Sequence, residues 1–284
     1  MKVETIIRNL FKYRLKYLAY LLLSFISLFL GRFSVFKLLE NDLWLQKQNK
    51  TFFCDYSPNY RLKGDQVDSF SNDIFFNSYK PKKGDVCIDI GAGLGVDTRL
   101  MSRMVENEGK VFSIEATERT YKALEASVEY NQLDNVTTSY CAITNQDGLV
   151  KIADDMGHHT ENKIIFDDTN NYSTVEGLTI DHYIEMHNIE YVDYMKINIE
   201  GAEKLVIEEF KKIKVVKNIA ISSHDFLGLR TGDSSYFTKD LILDFLEKNN
   251  FECYMRDTGI DYKDGWIYGI NKEFITKRDK KKIS

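Results

Sequence analysis

Val86-Cys87-Ile88-Asp89-Ile90-Gly91-Ala92-Gly93-Leu94-Gly95 decides the fold of this chain. Val86 to Ile90 reads as a buried strand, the three alternating glycines as a turn, and the residues from Gly95 onward as a helix. Glycine reaches backbone angles closed to other residues and leaves no Cβ between the main chain and a ligand. A helix starting straight after such a turn presents unpaired N–H groups. The dinucleotide fingerprint spaces its glycines G-x-G-x-x-G. Here the third glycine comes one residue early, and Asp89 stands two residues before the first. Early closure beside an acid leaves less room for a pyrophosphate and suits a cationic ligand. The next strand, Lys110 to Glu115, ends in a carboxylate twenty residues after Gly95, where an acid can take both hydroxyls of a ribose. Together the two acids point to S-adenosylmethionine (SAM), which carries a ribose and a sulfonium charge.

With 284 residues, 43% of them hydrophobic and 29% charged, the chain can bury one substantial core with appendages. The net charge of -5 is unevenly spread. Residues 1–37 hold seven Lys or Arg against the single acid Glu4, so the remainder is acidic and nucleic acid is not an expected partner. Cys54, Cys87, Cys141 and Cys253 lie far apart without a C-x-x-C pair, as expected of reduced thiols in a cytosolic compartment.

Residues 17–30 form an uncharged apolar stretch with Lys12, Arg14 and Lys16 before it and Arg32 and Lys37 after it. That is short of the ~20 residues a bilayer core needs. A single span would also place the cofactor domain away from the cytoplasmic SAM pool. The expectation is therefore an interfacial or re-entrant anchor on an anionic membrane surface, with the catalytic domain facing the cytoplasm. The basic run Lys277 to Lys282 is a second possible lipid contact or a solvated terminus.

Four segments follow: a basic and apolar membrane-associating segment 1–37, a partly helical lead-in or cap 38–80, a main domain 81–273 and a basic tail 274–284. Within the main domain, strands are expected at 85–90, 110–115, 136–141, 192–197 and 217–222, and helices at 95–106, 117–131, 202–211 and 238–249. Late strands at 251–256 and 265–270 read as a hairpin. Alternation of this kind implies right-handed βαβ crossovers and a parallel sheet. The polar stretch Lys151 to Val175 reads as a loop-rich insertion. Its adjacent His158 and His159 lack the spacing of a helical metal pair, and no metal is expected.

Asp89-Ile-Gly-Ala-Gly-Leu-Gly95, Ile114-Glu115, Asn131-Gln-Leu-Asp-Asn-Val136, Leu178-Thr-Ile-Asp-His-Tyr183 and Lys196-Ile-Asn-Ile-Glu-Gly-Ala-Glu203 occur in order. On these segments, residues 80–230 resemble the FkbM-like family of class I SAM-dependent methyltransferases. The resemblance implies a Rossmann-like α/β fold whose seven-stranded, mostly parallel sheet has an antiparallel last strand, here preceded by an N-terminal apolar helical segment. It also implies methyl transfer to oxygen, often on sugars or secondary metabolites. One position departs: the family commonly has Lys-x-Asp-x-Glu-Gly, and this chain has Asn198 for the aspartate. An amide accepts and donates hydrogen bonds but is no base.

SAM brings its own leaving group, so the protein has to align the acceptor and remove its proton. Gly91, Ala92, Gly93 and Gly95 are expected to let the backbone approach the cofactor, Asp89 to meet its methionine end or a bridging water, and Glu115 to take the ribose. His224 is the first choice of base because its ordinary pKa lies near neutral, with Asp225 or Glu200 to orient it. Glu200 and Asn198 complete the catalytic set, while Glu203 reads as a helix-start acid. Lys196 either points into the site or lies on a sheet edge. The function expected is O-methylation of a glycan, lipid-linked saccharide or other hydroxylated metabolite at a membrane surface. A catalytically silent, membrane-associated scaffold of the same fold is the alternative that Asn198 keeps open.

Overall fold

The computed structural model describes residues 15–153, 164–165 and 172–274. His158, His159 and the basic tail lie outside them.

The central sheet uses β4 (Val86–Ile90), β5 (Lys110–Glu115), β6 (Val136–Tyr140), β11 (Val192–Ile197), β12 (Val216–Ser222), β13 (Phe251–Met255) and β14 (Trp266–Asn271). Their order across the sheet is β13-β14-β12-β11-β4-β5-β6. Neighbours from β12 through β6 are parallel, whereas β14 runs antiparallel to both β12 and β13. This is the expected Rossmann-like sheet with its antiparallel last strand. Every residue of β11 is buried, as in a strand covered on both faces. The chain leaves β4 toward β5 on one side and later returns through β11 on the other. The β4/β11 boundary is therefore the switch point outside whose carboxyl ends ligands bind in open α/β sheets.

Crossover helices α3 (Val96–Val105) and α4 (Glu118–Tyr130) follow β4 and β5. On one face of the sheet, Ile88, Ile90, Ile114, Met195 and Ile219 pack with Tyr183, Val206 and Leu246. On the other, Cys87, Val111 and Tyr194 pack with Ile74, Leu100 and Met101. Helix α6 (Glu203–Glu208) is shorter than the expected 202–211 because the chain tightens into a 3-10 turn over Lys211–Val215.

Two segments correct the sequence reading. Within the lead-in, α2 (Gly64–Ile74) is helical, but β2 (Trp44–Gln48) and β3 (Thr51–Asp55) are strands, and with β1 (Ser34–Leu38), which lies mostly in the segment 1–37, they form an antiparallel sheet. Asn49 at φ +55 helps turn the tight β2–β3 hairpin, a conformation that asparagine tolerates. One face of this sheet receives α1 (Lys16–Phe29), with Ala19 and Leu23 on Phe36 and Trp44. Leu45 and Cys54 on the other face pack against Ala123 of α4. Of the stretch Lys151 to Val175, residues 154–163 and 166–171 lie outside the described residues, and the described parts are not loop but belong to a second sheet of β7 (Ala142–Ile143), β8 (Gly148–Ala153), β9 (Ile164–Ile165) and β10 (Tyr172–Leu178), ordered β7-β10-β8-β9. In β10 one face is wet: Thr174 and Glu176 are exposed while Val175 is buried.

Helix α1 covers 14 residues, and no helix among the described residues is long and apolar enough to cross a membrane. Short helices α5 (Ile180–Met186), α7 (Asp225–Thr231) and α9 (Asp261–Asp264), together with α8 (Lys239–Lys248), complete the fold.

Candidate functional site

The glycine turn and the turn after β11 meet at the switch point. Asn198 N–H donates to the Ile90 carbonyl at 3.0 Å, and a Cβ on Gly91 would lie 2.0 Å from the Asn198 carbonyl oxygen. Gly91 is thus required by backbone packing. Gly95, at φ +81, caps α3, and a Cβ there would meet Leu124 of α4 at 2.8 Å. Only Gly93, at φ +57, has nothing within 4 Å of a Cβ. Of the three glycines expected to face a cofactor, Gly93 alone opens onto free space; Gly91 and Gly95 close onto the protein. Gly91 and Ala92 spend their N–H groups on the Ile114 carbonyl, each at 3.0 Å.

Asp89 requires a further correction. It is fully buried, with Oδ2 accepting from Thr98 Oγ1 at 2.8 Å and Oδ1 from Lys196 Nζ at 2.9 Å. A carboxylate held this way is not placed to touch a methionine end. Lys196 also lies 3.2 Å from Asp97 Oδ2, whose Oδ1 accepts from Ser71 Oγ at 2.6 Å. Lys196 therefore points inward to join β4, β11, α2 and α3, which rules out the sheet-edge placement. Burial works to lower the Lys196 pKa, but Asp89 and Asp97 outweigh it and the ammonium stays charged. Burial lifts the Asp97 pKa above its ordinary value against the pull of Lys196, and the neighbouring Asp89 charge adds to the rise.

Glu115 stands at the end of β5, half-buried, with Oε2 accepting from Gly93 N–H at 3.0 Å and Oε1 from Thr117 N–H at 2.9 Å. It is in contact with the open glycine. Burial raises its pKa, and the Thr117 and Gly93 N–H groups partly restrain the rise.

After β11 the chain turns through Asn198, Ile199, Glu200 and Gly201. Glu200 takes φ +54, a conformation that costs a non-glycine residue about 1–3 kcal/mol and is often found at functional sites. Its Oε2 lies 3.5 Å from His224 Nε2, and on the other side of the ring Glu203 Oε1 lies 3.1 Å from Nδ1. His224 is only 3% exposed. Burial acts to lower its pKa, but Glu203 and then Glu200 outweigh that and lift it above the ordinary 6.5. The carboxylate near each nitrogen favours the charged imidazole over the neutral form that a free base needs. Glu203, expected to serve only the helix start, also accepts from Ile199 N–H at 3.0 Å and so braces the turn carrying Glu200. Among the described residues, no protein group is bonded to the half-buried Asn198 amide.

Aromatic side chains adjoin this edge. Tyr236 packs on Gly201, where a Cβ would lie 2.9 Å from its ring. Phe75 lies under Lys196 Nζ at 5.1 Å and meets Trp266 edge-on at 4.9 Å. Phe70 contacts Phe75 at 6.0 Å and stacks on Tyr262 at 5.9 Å. Sequence reasoning missed Asp97, Tyr236, Tyr262 and Trp266 because each depends on contacts between distant segments. A charged residue inside an apolar run, as Lys196 is, was the one available signal for the buried ion cluster.

The arrangement fits SAM: a carboxylate at the end of β5 beside an open glycine, at the switch point, with a second carboxylate across the turn. Among the described residues no group of His, Cys, Asp and Glu is placed to hold a metal.

The family model for a methyltransferase FkbM domain matches residues 89–253. No protein of curated function matches the chain. Among solved structures, an O-methyltransferase from Bacillus cereus in complex with SAH is 16% identical, covering 77% of this chain and 83% of that one at a TM-score of 0.45. A SAM-dependent methyltransferase from Aquifex aeolicus is 15% identical, covering 74% and 100% at 0.41. An rRNA methylase from Streptococcus thermophilus is 13% identical, covering 73% and 94% at 0.40. At these identities and scores the likenesses bear on neither acceptor nor mechanism.

Proposed function

This chain belongs to the FkbM methyltransferase family, and from that membership we propose that it methylates oxygen on a glycan, lipid-linked saccharide or other hydroxylated metabolite. The observation that carries the reading is the Glu200 carboxylate, held on a left-handed turn beside the glycine turn and backed by His224. The cofactor, when bound, supplies a methyl group on a sulfonium whose departing thioether is neutral. Glu200 accepts the proton of the acceptor hydroxyl as the new oxygen–carbon bond forms. The His224 ring positions that carboxylate, and Glu203 holds His224 from its far side. The Asn198 amide, with a donor and an acceptor, aligns the acceptor oxygen. Glu115 accepts from the ribose, and Gly93 gives the nucleoside room to approach.

Phe70 and Tyr262, 46% and 48% exposed and stacked on one another, offer flat apolar surface to the C–H face of a sugar ring. The acidic balance of the chain favours such an acceptor over nucleic acid. Glu200→Gln is expected to lower kcat about 10²- to 10⁴-fold while S-adenosylhomocysteine (SAH) still binds, read by tritium transfer from labelled SAM onto hydroxylated glycans. Undiminished transfer by this variant would remove Glu200 from the chemistry. SAH binding without transfer to any acceptor would favour the silent scaffold.

A membrane surface is the proposed setting, with the catalytic domain on the cytoplasmic side. Tyr17, Leu21, Phe25 and Phe29 recur on one face of α1 at 65% exposure or more, and Phe33 and Val35 continue the apolar surface. Exposed Lys37 and Lys47 lie on the adjoining strands. A short helix with such a face beside cations suits burial in the headgroup layer. The chain is expected to co-sediment with phosphatidylserine vesicles and to be released by Leu21→Ser combined with Phe25→Ser. Equal sedimentation of this double variant would contradict the interfacial role of α1.

A further inference from the structure

Helix α1 ends in a Schellman turn: Gly31, at φ +69, donates to the Leu28 carbonyl and Arg32 N–H donates to the Ser27 carbonyl, each at 2.8 Å. The turn places Arg32 where the exposed apolar face of α1 ends, between Phe29 and Phe33 in the chain. Arg32 is half-buried, and its Nε is buried with no hydrogen-bond partner. Lys63, also half-buried, immediately precedes α2. The buried Gln48 of β2 fixes the main chain at both cations. Its Nε2 donates to the Arg32 carbonyl at 2.5 Å and to the Leu62 carbonyl at 3.2 Å, and its Oε1 accepts from Gly64 N–H at 2.6 Å. Arg32, Phe33, Lys63 and Asp65 line one open cleft of about 500 Å³. Asp68, also in its wall, is spent on Arg99. Among the described residues no acid pairs with Arg32 or Lys63, so two uncommitted cations stand against Asp65 alone. That balance favours an anion, and a guanidinium, which cannot shed its charge, suits phosphate oxygens.

We infer that this cleft receives the phosphate of an anionic lipid headgroup, Arg32 and Lys63 donating to its oxygens. The inference rests on the membrane setting proposed above for α1. Phe33 belongs both to the apolar surface and to the cleft wall. A face lying in the headgroup layer therefore brings the cleft to the depth of the phosphates. Because Gln48 holds both cations on the lead-in sheet, the headgroup fixes the orientation of that sheet on the surface as well as adding affinity.

Sedimentation of the full chain with phosphatidylcholine vesicles, and with mixed phosphatidylserine and phosphatidylcholine vesicles, tests this site. The unaltered chain is expected to prefer the mixed vesicles. Arg32→Gln combined with Lys63→Gln is expected to weaken binding to them about 10- to 30-fold. Lys37→Gln combined with Lys47→Gln removes the same charge outside the cleft and is expected to weaken binding less. Should the first double variant fail to fold by circular dichroism, Lys63→Gln against Lys47→Gln gives the same comparison. Equal weakening by the two pairs would reduce the effect to diffuse charge and overturn the site, as would equal binding of the unaltered chain to both vesicles. In either case sedimentation of the unaltered chain keeps the membrane setting, whereas sedimentation with neither vesicle overturns that setting itself. Calorimetric titration with inorganic phosphate is expected to be silent. Heat that the Arg32→Gln, Lys63→Gln variant abolishes would make the cleft a site for the free ion and overturn the lipid assignment.

Discussion

Gly91 and Gly93 stand two residues apart at similar backbone angles, φ +76 and φ +57, yet an added methyl group meets opposite surroundings. At Gly91 it falls 2.0 Å from a main-chain carbonyl that cannot swing aside, because the Asn198 N–H of the same turn is bonded to Ile90. At Gly93 it enters open space, and the folding cost is only the about 1–2 kcal/mol of a left-handed alanine. Gly91→Ala is therefore expected to abolish cooperative thermal unfolding. Gly93→Ala is expected to fold with a modest fall in Tm and to lose cofactor affinity, since the methyl group takes room the nucleoside needs. A Gly93→Ala variant that binds SAH normally would show that the open space is not the cofactor's. The glycine spacing alone suggested one task for all three glycines; the neighbours that separate them come from β11 and α4, far along the chain.

Strands β4 and β11 are joined by more than their ladder, because Lys196 of one reaches Asp89 of the other and Asp97 at the start of α3. Removing one member of a buried ion cluster strands its partners, typically at a cost of about 3–5 kcal/mol. Lys196→Met should lower urea-unfolding stability by that order, with the loss smaller in the triple variant Lys196→Met, Asp89→Asn, Asp97→Asn. Equal losses would mean the charges are not coupled. The seven strands of the central sheet were legible because apolar runs such as Ile219 to Ile221 stand between turn signals. Strands β1–β3 were not. Short elements such as Ser34–Leu38, with Lys37 on the wet face and Ser34 buried, give period-two alternation too brief to distinguish from a mixed polar loop. Strands β8 and β10 were hidden for a related reason: their paired residues lie some twenty to thirty positions apart across a polar segment. At the site, Glu115 was legible as a strand-end acid, whereas the locking of Asp89 and the pairing of His224 with Glu200 and Glu203 depend on side chains that only the fold brings near.

Across the whole molecule, the lead-in links a candidate membrane face to the cofactor end of the sheet. Trp44 meets Tyr20 of α1 edge-on at 6.1 Å and also lines the cavity that Arg99 and Val96 share. The polar and aromatic edge near Glu200 supplies the acceptor side, and the glycine turn with Glu115 the cofactor side, so both substrates meet at the switch point between β4 and β11. Binding of SAH to the full chain, followed by calorimetry between pH 7.5 and 5, tests this arrangement most directly. One equivalent should bind at pH 7.5 with a dissociation constant of roughly micromolar to sub-millimolar order, and Glu115→Ala should abolish the heat. The Glu115 pKa is raised by burial, so its carboxylate is lost on acidification sooner than an ordinary glutamate's. Affinity should accordingly decline toward pH 5 in the unaltered chain, and Glu115→Gln should bind weakly without that dependence. A folded chain that takes up no SAH at pH 7.5, or one whose binding is untouched by Glu115→Ala, would contradict the placement of the cofactor at the glycine turn.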